Sequence, residues 1–142
     1  MKTLLDVHTH TIASGHAFSS LQEMTLTAKE KGLDILGITE HGPNIPGTCD
    51  PIYFRNLHCV PRQLYGIKLM LGAELNILNT KGDIDLDEDY WRMLDIRIAG
   101  IHSLCWQGGS KEENTQMPCA IPSCRLSLIP VMVRQNWISR NS

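Results

Sequence analysis

Short apolar runs recur along the first hundred residues, separated by helical or turn-rich stretches. Leu4-Leu5 opens the first run, over residues 3–8, which reads as a β-strand. Residues 19–31 predict a helix, with Leu21, Met24, Leu26 and Ala28 as its apolar stripe. Ser20 followed by Glu23 fits a capping box, and Gly32 is a C-terminal stop. Ile35-Leu36-Gly37-Ile38-Thr39 is nearly all apolar, as a parallel strand buried on both faces must be. Strand, helix and strand make a βαβ unit with a right-handed crossover. A loop punctuated by Pro43, Pro46, Gly47 and Pro51 follows. Residues 53–65 predict a weak helix broken at Pro61. Residues 67–77 predict the third strand, 79–83 a turn and 90–94 a helical turn. Ile96, Ile98, Ala99 and Ile101 predict the fourth strand, ending at His102.

These strand ends collect residues able to bind metal. Residues two apart in a strand share a face, so His8 and His10 project together, about 6.6 Å apart. His16 follows after the turn at Ala13, Ser14 and Gly15. His41 closes the second strand, Glu74 sits in the third and His102 closes the fourth. Parallel α/β folds gather their chemistry at the carboxyl ends of strands. Singly, each residue has a plain structural reading. His41 fits a helix-capping loop histidine, Glu74 a buried partner of an arginine, and His102 a satisfied core histidine. The coincidence of all six is what points to a shared metal site. His58, among Arg55, Leu57 and Cys59, reads as structural or exposed.

Composition narrows the function classes. The chain has 142 residues, 42% hydrophobic and 20% charged, which suits one globular domain. A net charge of −2 gives no bulk attraction to nucleic acid or anionic membrane. No apolar run reaches the ~18 residues of a membrane span, and Asp6 and His8 interrupt any secretory signal. Five cysteines without a Cys-x-x-Cys pair fit a reduced, cytoplasmic protein. Asp83, Asp85, Asp87, Glu88 and Asp89 read as a solvated acidic loop outside the site. Their glycine and glutamate positions do not match a calcium loop.

Three segments carry a family resemblance: Asp6-Val7-His8-Thr9-His10-Thr11, Ser14-Gly15-His16-Ala17-Phe18-Ser19 and Ile38-Thr39-Glu40-His41-Gly42-Pro43. Together they resemble the PHP (polymerase and histidinol phosphatase) family, especially its small stand-alone phosphatases of the YcdX kind. Gly72-Ala73-Glu74-Leu75-Asn76 and Ala99-Gly100-Ile101-His102 continue the match in order, so that it covers about residues 3–116. The resemblance implies the N-terminal half of a distorted (β/α)7 TIM-like barrel, an α/β fold left incomplete here. It implies metal roles for His8, His10, His16, His41, Glu74 and His102, with Glu74 bridging two metals. Zinc is the implied metal, up to three ions, with manganese or iron as alternatives. Imidazole and carboxylate ligands suit all three metals. The implied activity is hydrolysis of a small phosphorylated substrate by metal-activated water, with no catalytic residue beyond the ligands.

The sequence departs from the family after residue 116. Three further family ligands are absent: a histidine in a Ser-His-Pro-like motif, and a late aspartate and histidine. No histidine follows His102 and no carboxylate side chain follows Glu113. Residues 1–116 carry a balance of −5, whereas residues 117–142 carry three arginines and no acid. Pro118, Pro122 and Pro130 break any helix there. The expectation is therefore a domain over 1–116 and an atypical tail over 117–142, read out of frame. The alternative is a short variant that completes its barrel as an oligomer or with a partner chain. With six ligands, the chain is expected to be weakly active or inactive. A non-catalytic metal-binding fragment is the competing function. An amidohydrolase-like enzyme also opens on His-x-His, but its later ligands are missing too.

Overall fold

The computed structural model describes residues 3–108. The division at residue 116 and the tail over 117–142 lie outside the described residues. Five strands form one sheet: β1 (Leu5–Thr9), β2 (Ile35–His41), β3 (Gln63–Leu64), β4 (Ile67–Asn76) and β5 (Ile96–Gly100). β1, β2, β4 and β5 lie side by side and parallel, the arrangement expected of part of a PHP barrel. β3 pairs antiparallel with the start of β4, on the border that β5 takes over further along.

Burial follows this pairing. β2 is buried from Leu36 to Glu40, between two parallel neighbours. β4 alternates at first, with Lys68 exposed between Ile67 and Leu69, and is then buried from Leu71 to Asn76. The core joins Leu36, Ile38, Leu69, Leu71, Ala73 and Leu75 of these strands to Ala28, Phe54, Leu57, Leu86 and Leu94.

The first crossover contains α1 (Leu21–Glu30). Ser20 caps it as the sequence predicts: Glu23 donates its backbone N–H to Ser20 Oγ, and Ser20 N–H donates back to the Glu23 carboxylate at 2.6 Å. The apolar stripe differs from expectation. Leu26 faces outward, and Thr25 takes the buried position by donating its hydroxyl to the Leu21 carbonyl at 2.7 Å.

Residues 53–65 also differ. α2 spans Pro51–Asn56, a 3-10 turn covers Leu57–Cys59, and a β-hairpin then leads into β4. Tyr65 and Gly66 both have positive φ, the conformation that two-residue hairpin loops favour. α3 (Glu88–Trp91) starts two residues before the helical turn expected at 90–94. The acidic run is only partly solvated. Asp85 accepts the Asn76 N–H at 2.8 Å and the Asn44 N–H at 2.9 Å, tying the loop after β2 to the end of β4. None of the acidic residues from 83 to 89 joins the histidine cluster described below.

Candidate metal centre

The parallel register carries the functional side chains to one end of the sheet. His41 of β2 is the partner of Glu74 in β4, and Glu74 is in turn the partner of Ile98 in β5. β1 reaches the same end with an irregularity between Asp6 and Thr9, where three residue steps oppose two in β2. Gly37 makes that close approach possible, since a Cβ there would lie 2.6 Å from the Val7 Cα. His8 and His10 project from this end of β1, and His102 from just beyond β5.

The Glu74 carboxylate is the centre of the cluster. It is 8% exposed, and four imidazoles surround it. Its Oε2 lies 3.1 Å from His8 Nε2, 3.3 Å from His10 Nε2 and 3.1 Å from His41 Nδ1, while Oε1 lies 3.4 Å from His102 Nε2. His16 completes the cluster from the 3-10 turn over Ile12–Ser14, its ring centroid 5.2 Å from that of His10 and 4.7 Å from that of His41. All six residues singled out in the sequence therefore meet. Glu74 pairs with histidines rather than an arginine. His58 lies apart and exposed, bonded through Nδ1 to the Arg55 carbonyl at 2.6 Å.

Three groups among the described residues have ligand atoms mutually within 4.8 Å: His10–His16–His41, His8–His10–Glu74 and His41–Glu74–His102. Their chemistry fits a divalent cation. Two ligands on one tetrahedral zinc, each bonded at ~2.0–2.1 Å, are ~3.3–3.4 Å apart. The separations around Glu74, 3.1–3.4 Å, match this. His41 Nδ1 supplies a second test. It is buried, close to the Glu74 carboxylate and yet has no hydrogen-bond partner among the described residues. A cation shared with Glu74 would satisfy it. Gly100 leaves the space required, because a Cβ there would sit 3.1 Å from Glu74 Oε1.

Electrostatics agree with the geometry. Burial alone would raise the Glu74 carboxyl, but the close imidazoles of His10, His102, His41 and His8 hold it far below the ordinary carboxylate range. The same contact raises His8, against its partial burial, with the charges of Glu74 and Asp6 adding to the effect.

Sequence reasoning passed over a second carboxylate, Glu40. It is fully buried beneath the cluster. It accepts the Thr11 N–H at 3.1–3.2 Å, together with the hydroxyls of Thr11, Ser14 and Tyr53. Burial, followed by the Glu40 charge, pushes the Tyr53 phenol well up, so it stays a donor. The signal available was a carboxylate closing an otherwise apolar strand.

The PHP domain profile matches residues 6–118. The chain belongs to the PHP family. A protein from Clostridium novyi named "Probable phosphatase" is 49% identical to this PHP chain over 115 residues, 81% of the chain and 47% of the relative. Relatives with the same name from Caldicellulosiruptor bescii and Acetivibrio thermocellus are 46% and 42% identical, over 79% and 82% of the chain. The chain spans about half the length of the curated relatives it matches, 47–48% in these three. No described helix of this PHP chain is long and apolar enough to cross a membrane.

Proposed function

We propose that His8, His10, His16, His41, Glu74 and His102 hold divalent metal, zinc before manganese or iron, in a phosphate-ester hydrolase site. The observation that carries this reading is the set of four imidazole nitrogens within 3.1–3.4 Å of one buried carboxylate. Bound metal would supply water acidified to near-neutral pKa and positive charge for phosphate oxygens. The chain's own residues do the rest. Glu74 turns Oε2 toward His8, His10 and His41 and Oε1 toward His102, and so spaces these imidazoles. Ser14 and the Ser14 carbonyl fix the His10 and His16 rings. His16 is exposed, which leaves that side of the cluster open to a small phosphorylated substrate.

Neither nucleic acid nor membrane is a partner in this reading. The free thiols of Cys49, Cys59 and Cys105 suit a cytoplasmic location. A second reading is metal binding without efficient turnover, in which catalysis would need an oligomer or a partner chain.

The test is release of p-nitrophenol from p-nitrophenyl phosphate, with zinc or manganese added, by the full chain and by a full-length relative. Metal-dependent turnover below that of the relative, lost in His8→Ala, is the expected result. Turnover that ignores both metal and His8→Ala refutes the hydrolase site. Metal binding with no turnover leaves the second reading in its place.

A further inference from the structure

We propose that Glu40 is a positioning residue that, through the Ser14 hydroxyl, fixes which nitrogen of His10 faces the metal. The inference rests on the metal-site reading above.

Ser14 Oγ has three partners. It lies 2.5 Å from Glu40 Oε2, 3.0 Å from the His41 backbone nitrogen and 3.1 Å from His10 Nδ1. A carboxylate only accepts, so the single hydroxyl proton goes to Glu40. The backbone N–H of His41 only donates. Ser14 Oγ is left as an acceptor toward His10, so His10 Nδ1 must carry a proton. That leaves Nε2, the nitrogen facing Glu74 at 3.3 Å, with its lone pair for a metal. Supporting bonds of this kind set the tautomer and orientation of metal-binding histidines.

Glu40 also holds the turn from both ends, through Thr11 and Ser14. The Ser14 carbonyl in turn accepts the Nδ1–H of His16 at 3.1 Å. The His16 tautomer is thus set by a carbonyl, which no side-chain change can invert. The His10 tautomer is set by a hydroxyl whose direction depends on Glu40. In Glu40→Gln the amide can donate to Ser14 Oγ. The hydroxyl proton is then free to point at His10 Nδ1 and place the imidazole proton on Nε2, where it blocks coordination.

The test is zinc affinity of the full chain, by competition with a chromophoric chelator, for wild type, His10→Ala, Glu40→Gln, Ser14→Ala and the Glu40→Gln/Ser14→Ala double variant. Glu40→Gln and Ser14→Ala are each expected to weaken zinc about 10–100-fold. The double variant is expected to be no weaker than the worse single variant, since both act through one hydroxyl. Multiplying losses, or a Glu40→Gln affinity within about twofold of wild type, overturns the proposal. Unchanged affinity in His10→Ala overturns the metal-site reading beneath it, a distinct failure. Should Glu40→Gln not fold, imidazole nitrogen NMR of zinc-loaded Ser14→Ala decides. The hydrogen-bonded Nδ1–H of His10 should be lost and that of His16 kept, and an unchanged His10 signal refutes the role of Ser14.

Discussion

Glu74→Gln tests how the cluster divides its ligands. Glu74, His10 and His41 each belong to two of the three ligand groups, whereas His8, His16 and His102 each belong to one. Removing the Glu74 charge should therefore weaken His8–His10–Glu74 and His41–Glu74–His102 together, while His10–His16–His41 keeps every ligand. The loss at each affected group should exceed the ~10–100-fold that removal of a mere supporting partner costs. His16→Ala should weaken one group only. The assay is a zinc titration of the full chain against a competing chelator, read as both affinity and ions bound per chain. In Glu74→Gln the tighter phase should shrink to a single group; in His16→Ala two groups should persist. Equal losses in the two variants would refute the shared-carboxylate arrangement.

Other expectations concern stability. Phe54→Ala, at a position of 0% exposure, should cost about 3–5 kcal/mol in urea unfolding. Gly15→Ala should cost at least ~1–3 kcal/mol, because φ there is +74° and the new Cβ would collide with the Gly47 carbonyl. It should also weaken zinc binding through His16, checked by the same titration. In metal-free protein the His8–Glu74 contact raises His8, so its stabilisation is complete below pH 6.5 and is lost as pH rises through the raised value. Thermal melts should therefore fall through that window without metal. With zinc, which needs neutral imidazole, they should instead rise.

The four parallel strands were legible from their apolar runs, of which those in β2 and β4 are the buried ones. Glu74 and the histidines were legible because they fall where those runs end. The hairpin before β4 was not, because its turn uses Tyr65 at positive φ, a conformation that tyrosine does not advertise. The place of Thr25 in α1 was hidden by its polarity, which a hydrogen bond to the preceding turn satisfies. Asp85 looked solvated beside four other acids, yet backbone N–H groups distant in sequence bind it. Ser14 and Glu40 escaped for the same reason. Their roles come from partners 26 residues apart, which only the β1–β2 pairing brings together.

The most direct test of the central claim is anomalous diffraction at the zinc edge from crystals of the zinc-loaded chain. Zinc peaks within ~2.0–2.1 Å of imidazole nitrogens of the cluster, with Glu74 shared between ions, are the predicted result. Zinc confined to the acidic loop at 83–89, or none near Glu74, would contradict it.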